Sequence, residues 1–140
     1  GDTWENTSII ENAGADTSEV YISTFFDEND SSSTIAKDFV TGYKAWLAAD
    51  PQNLTNNGGN DGVAAVSALG YDAYMTAIEA IKAAGAVDAA SIQAALPGVS
   101  YDGVTGGLTF DGNGDANKNM AYIKTIENGA FKFIQTQTVS

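Results

Sequence analysis

Between Thr34 and Ala49 the apolar residues Ile35, Phe39, Tyr43 and Leu47 recur every fourth position, with Val40 and Trp46 beside them. That spacing predicts an amphipathic helix with one stripe facing a core. The serines that close the polar run 27–33 are suited to cap it. A second helix is predicted over 62–84, capped by Asn60 or Asp61 and apolar nearly all round: Val63, Val66, Leu69, Tyr71, Tyr74, Met75, Ile78 and Ile81 leave little polar face. A third, over 89–95, has Asp88 as its cap and Pro97-Gly98 as its stop. A turn or two of helix near Thr7–Glu11 ends at Gly14. The stretch from Pro51 to Gly62 reads as a loop.

Strand patterns are fewer. Val20–Phe26 is rich in β-branched and aromatic residues, and Leu108–Phe110 is a short candidate. Met120–Ile126 and Ala130–Gln137 alternate on either side of Asn128-Gly129, a strong hairpin signal. A helix as apolar as 62–84 needs a sheet to pack on, and these strands are too few to supply one. The pattern is that of part of an α/β protein whose main sheet lies elsewhere.

Length and charge narrow the function. One hundred and forty residues make one ordinary domain, and 18 acidic residues against 6 lysines give a net charge of −12. Such a surface repels phosphate backbones and anionic lipid, so neither nucleic acid nor a membrane surface is an expected partner. The apolar stretch 63–87 is broken by Asp72, Glu79 and Lys82, against direct membrane insertion. With no Cys, His or Arg in the sequence, thiol nucleophiles, imidazole bases and bidentate guanidinium clamps are all excluded. The chain opens without an apolar leader segment. Binding is favoured over catalysis, with no metal and no cofactor.

Candidate chemistry is sparse. Asp111, Asn113 and Asp115 alternate as calcium ligands do, but Ala116 and Tyr122 stand where a calcium loop needs Gly and a bidentate Glu. A Gly-rich turn between strands is the preferred reading there. The run Asp27–Asp30 reads as a solvated loop, and the glycine-rich stretches lack the Lys-Ser/Thr of a phosphate loop. Asp72 stands within the buried-looking helix, next to Tyr71, and is expected to project from its least covered face. At the start of the chain, Asp2, Thr3 and Trp4 group a carboxylate, a hydroxyl and an indole, which together suit an ammonium group.

The order of these pieces resembles one family. Gly1-Asp-Thr-Trp4, Glu19-Val-Tyr-Ile-Ser-Thr-Phe-Phe26, Phe39-Val-Thr-Gly-Tyr-Lys44, Ala68-Leu-Gly-Tyr-Asp-Ala73 and Tyr101-Asp-Gly-Val-Thr-Gly-Gly-Leu-Thr-Phe-Asp111, followed by Gly112-Asn-Gly-Asp115, are similar in sequence and order to the C-terminal portion of a branched-chain amino-acid-type substrate-binding protein of an ABC importer, a type I periplasmic binding protein. The resemblance implies two Rossmann-like α/β lobes with a ligand in the cleft between them. It assigns 1–25 to the end of the second lobe, 26–119 to the first, and 120–140 to a hairpin returning to the second. Three helices, a strand and that late antiparallel hairpin are expected in the chain.

By the same resemblance, Asp2 matches the acid that meets the ligand's ammonium group, Tyr71 matches an aromatic that reaches the cleft, and Thr3 and Trp4 flank Asp2 in the pocket. The segment that receives the ligand's carboxylate belongs to an N-terminal part missing from this chain. The implied function is non-enzymatic capture of an amino acid for delivery to an ABC permease, in the periplasm or outside the cell, with a lipid anchor on the whole protein. The alternative is a sensory domain of the same fold in a receptor or regulator. The uncovered apolar faces are expected to be met by the missing N-terminal part or by a second copy of the chain.

Overall fold

A computed structural model describes residues 4–14, 17, 19–30, 32–118 and 120–138. Among the described residues, five α-helices and five strands run in the order α1 (Thr7–Ala13), β1 (Tyr21–Thr24), α2 (Thr34–Ala49), α3 (Pro51–Asn56), α4 (Ala65–Ala84), α5 (Ala89–Ala95), β2 (Tyr101–Gly103), β3 (Gly106–Leu108), β4 (Met120–Glu127) and β5 (Ala130–Thr138). This mixed α/β content is richer than the expected three helices, one strand and one hairpin.

Local capping explains most boundaries. The side chains of Asn6, Ser33, Asp50 and Asp88 accept from free amides of Ser8, Ala36, Gln52 and Ser91, starting α1, α2, α3 and α5. Asp50 followed by Pro51 turns the first half of the expected loop into α3, because proline fits the first helical turn, where its missing N–H is not needed. Helix α4 is the exception. Neither Asn60 nor Asp61 caps it: the helix begins at Ala65, its N-cap is Ala64, and no side chain of that residue bonds to it. Asn60 turns its Oδ1 to the amide of Gly62 instead.

The strands form two antiparallel groups. One sheet has the order β1-β4-β5, and β2 pairs with β3 in a small hairpin. Strand β1 is shorter than the apolar run 20–26, because Phe26 leaves the sheet for the core between the helices. Asn128 (φ 53°) and Gly129 (φ 74°) both adopt the left-handed backbone that a tight two-residue turn requires, as the Asn-Gly pair predicts. One register shift lies between Ile123 and Lys124, where Gln135 and Phe133 face them and Ile134 is left unpaired. The turn after β3 is closed by Asp111, whose Oδ1 accepts from the amides of Asn113 and Asp115 at 2.8 and 2.9 Å.

The core joins Phe26, Ala36, Val63, Ala65, Ala68 and Val104, with Phe39, Val40 and Tyr43 packed against it. On α2, Ala36 takes the inward place expected of Ile35, which is exposed. The buried stripe of α4 is small and polar, comprising Ala65, Ala68, Asp72, Thr76 and Ala80. Its large apolar residues Val66, Tyr74 and Ile81 stay exposed. Small side chains let the β2–β3 hairpin approach α4 closely: a Cβ on Gly103 would stand 2.6 Å from the carboxylate of Asp72.

Candidate functional site

A cavity of about 670 Å³ opens where four parts of the chain meet: the start of α1, the segment after β1, the 56–67 segment that ends α3 and begins α4, and the tip of the β4–β5 hairpin. It lies at the N-terminus of α4, whose first amides have no local cap. Two carboxylates from far along the chain come to this end. Glu5 Oε2 is 3.4 Å from the amide of Ala65, and Glu28 Oε2 is 3.4 Å from that of Val63. The helix dipole favours negative charge there.

Lys124 forms the charged floor of the cavity. Its side chain is only 4% exposed and its ammonium lies between Glu5 and Asp27, 2.9 Å from Asp27 and paired with Glu5. Glu5 also accepts from Thr24 Oγ1 at 3.2 Å. One buried cation with two buried carboxylates is stable only when its remaining bonds are met, and these contacts meet them. Beside it, Glu28 pairs with Lys44 at 2.8 Å, and that contact holds the Lys44 ammonium above its ordinary pKa. The charged groups on the wall are thus Glu5, Asp27, Glu28 and Lys124, an excess of acid.

The rest of the wall is rich in amides. Tyr43 donates its hydroxyl hydrogen to Asn57 Oδ1 at 3.0 Å, and its oxygen lies 3.2 Å from Ser67 Oγ. Asn57 in turn donates to the carbonyls of Asn60 and Gly62, at 2.8 and 2.9 Å, which fixes the loop leading into α4. Asn6, Asn29, Asn56 and Asn60 add further donors and acceptors, and Ile10, Val63, Val66 and Phe131 add apolar surface. Such a wall suits a small solute with a cationic group, polar atoms and an apolar side.

A second polar contact joins the sheet to the segment after β1. Tyr122 donates its hydroxyl hydrogen to Asp30 Oδ2. The bond holds the Asp30 carboxyl below its ordinary range. Burial, then that same bond, pushes the Tyr122 hydroxyl upward.

Of the residues singled out from sequence, Asp2 and Thr3 lie outside the described residues. Trp4 is 52% exposed and does not line the cavity. Tyr71 is 43% exposed, packs its ring 5.0 Å from that of Phe39, and likewise does not line the cavity. Asp72 departs from its expectation of a poorly covered face. It is 1% exposed and accepts from the amides of Val104 and Thr105 at 2.7 and 2.8 Å and from Thr105 Oγ1 at 2.6 Å. It is an anchor for the β2–β3 hairpin. Lys118 donates to the carbonyl oxygen of Thr105 at 2.9 Å on the other side, and burial lowers its ammonium's pKa.

Glu5, Asp27 and Lys124 were not distinguished by sequence. One signal was present: in Tyr122-Ile-Lys-Thr-Ile126, strand alternation puts Lys124 on the same face as Tyr122 and Ile126, and Ile126 is buried.

Comparison with known proteins extends this picture. No curated protein sequence matches the chain. Among solved structures, a leucine-binding protein from Thermotoga maritima superposes with a TM-score of 0.78 at 29% identity, over 99% of this chain and 36% of that one. A leucine-, isoleucine-, valine-, threonine- and alanine-binding protein from Brucella ovis does so with a TM-score of 0.68 at 18% identity, over 96% of this chain and 35% of its own. A solute-binding protein of an ABC transporter from R. palustris, in complex with benzoate, gives 0.64 at 16% identity, over 94% and 33%. The latter two likenesses are of fold alone. The chain spans about a third of the length of these relatives. The sequence profile described as periplasmic binding protein matches residues 3–130, nearly the whole chain, and with the α/β architecture it establishes that the chain belongs to the periplasmic binding protein family, with the type I fold.

Proposed function

We propose that the chain is part of a solute-binding protein that holds an amino acid, or a similar small polar solute, in an interlobe cleft and delivers it to an ABC permease without chemical change. The observation that carries this reading is the acid-rich, amide-lined cavity at the N-terminus of α4. Glu5, Asp27 and Glu28, against Lys124 and the adjoining Lys44, leave one negative charge in excess, which favours an ammonium group there, while Phe131 and Val66 offer an apolar surface to a side chain. The similar leucine-binding protein from Thermotoga maritima supports an aliphatic amino acid as the solute.

In this reading Asp2 and Thr3 complete the site, and Trp4 and Tyr71, which do not line the cavity itself, face the solute from the wider interlobe cleft. The lobe division at 26 and 119 is supported by the pairing of β1 with β4 in one sheet, apart from the α2–α5 core. The solute's carboxylate is received by a preceding segment of the whole protein, which a lipid anchor holds at the cell surface or in the periplasm. No described helix is long and apolar enough to cross a membrane.

Calorimetry against a panel of amino acids is the test. The whole binding protein is expected to bind an aliphatic amino acid, with Asp2→Asn weakening it by about 2–5 kcal/mol, the scale for leaving a buried charge unpaired. The 140-residue chain by itself is expected to bind weakly or not at all. Micromolar binding by this chain would overturn the divided site, and a whole protein indifferent to every amino acid would overturn the assigned solute.

A further inference from the structure

The three-stranded sheet ends on β5, and among the described residues no strand pairs with its outer edge. Apart from Phe131, every residue of the strand is exposed, and Phe133 and Ile134 each show 43% of their surface to solvent. From Phe133 to Thr138 the sequence is Phe-Ile-Gln-Thr-Gln-Thr, with no charge, Gly or Pro to discourage pairing. Exposed strands of this composition add readily to another strand.

Charge identifies the partner. The net charge is −12, yet the last acidic residue is Glu127, and Lys132 is the only charged side chain after it. Two copies of this chain repel each other over most of their surface. They do not repel along β5, where no carboxylate on one strand faces a carboxylate on the other. An antiparallel strand pair about a two-fold axis is self-complementary, because each strand presents the same row of amides and carbonyls to its partner.

The irregularity in the β4–β5 register fixes which half of the strand is used. Ile134 is bulged out of the ladder, and a bulge bends an edge away from a straight partner. The straight run beyond it is Gln135–Thr138. Pairing centred there carries Lys132 past the end of the second strand, so it does not meet its own copy. The cavity touches the hairpin only at Gly129, Ala130 and Phe131, the other end of β5, so such a pairing leaves the cavity open.

We infer that β5 is a self-association edge, on which a second copy of this chain adds antiparallel through Gln135–Thr138 to make one continuous six-stranded sheet. Sedimentation equilibrium of the 140-residue chain at tens of micromolar tests it. A monomer–dimer equilibrium is expected, weaker at low salt, where the net negative charge is less screened. Thr136→Lys and Gln137→Lys are expected to weaken the dimer about tenfold or more, since charge is what natural edges use to block pairing. Tyr74→Lys, on the exposed side of α4, is expected to leave it intact. Far-UV circular dichroism checks that each variant keeps its fold. For the unsubstituted chain, amide exchange is expected to show protection in β5 that rises with protein concentration. A strict monomer, exchange in β5 that ignores concentration, or a dimer lost with Tyr74→Lys and kept with Thr136→Lys would each overturn the assignment.

Discussion

Replacing Asp72 removes a buried acceptor that ties a helix to a hairpin. Its carboxylate is 1% exposed and receives three hydrogen bonds, from Val104 N at 2.7 Å, Thr105 N at 2.8 Å and Thr105 Oγ1 at 2.6 Å. Bonds to a charged group contribute about 1.5–3 kcal/mol each, so a plain sum reaches about 4.5–9 kcal/mol. Bonds that share one acceptor group are not independent, and Thr105, which is half-buried, regains water when the carboxylate is gone. The expected loss for Asp72→Ala is therefore about 3–5 kcal/mol, a large part of the ~5–15 kcal/mol that holds a domain folded. Asp72→Asn keeps the volume and one acceptor oxygen, and is expected to cost about half as much. Gly103→Ala attacks the same contact from the other side, because its new Cβ must push the carboxylate from 2.6 Å, at a cost of about 1–3 kcal/mol. Urea unfolding followed by circular dichroism and by the fluorescence of Trp4 and Trp46 measures all three. Loss of less than about 1 kcal/mol for Asp72→Ala, the size of an ordinary substitution, would refute the anchoring role.

Lys124→Met is expected to leave Glu5 and Asp27 facing each other with no buried cation between them, costing about 3–5 kcal/mol. By calorimetry the melting temperature should fall by about 10 °C or more, and adding Glu5→Gln should recover part of it. Tyr122→Phe is expected to lose stability at neutral pH by raising the carboxyl of Asp30, which the hydroxyl now holds low. Because that folded-state pKa is depressed, the bond's contribution is complete above the unfolded carboxyl's pKa of about 3.9 and is lost as pH falls through the lower folded value. Urea midpoints of the two proteins should differ at pH near 7 and converge in strong acid.

Much of the local structure was legible in the sequence because local groups create it. Ser33 and Asp88 start their helices by bonding amides three residues on, and Asn128-Gly129 turns the hairpin with its own backbone preferences. Residues 51–56 read as loop because Asn56-Asn-Gly-Gly59 at their end dominates the pattern, although Asp50-Pro51 is itself a helix start signal. The inward face of α4 misled for a deeper reason. Hydrophobicity picks out Val66, Tyr74 and Ile81, but the inward face carries the small Ala68, Thr76 and Ala80, with Asp72 held there by its bonds to the β2–β3 hairpin. The cavity was the least legible part. Glu5, Asp27 and Lys124 lie far apart in the chain and come together only through the β1–β4 pairing, which no spacing rule connects.

The missing local cap of α4 also bears on the order in which the chain assembles. A 20-residue helix that ends on Gly85 in the left-handed conformation can form from its C-terminal turns with local interactions alone. Its first turn cannot, since the amide of Ala65 finds its acceptor on Glu5, 60 residues earlier. Closing so long a loop is entropically costly and comes late. The opening turn of α4, and the cavity around it, therefore mature after the rest of the helix. Substitutions at Glu5 would alter how fast the native state comes apart while leaving the speed of its formation nearly untouched.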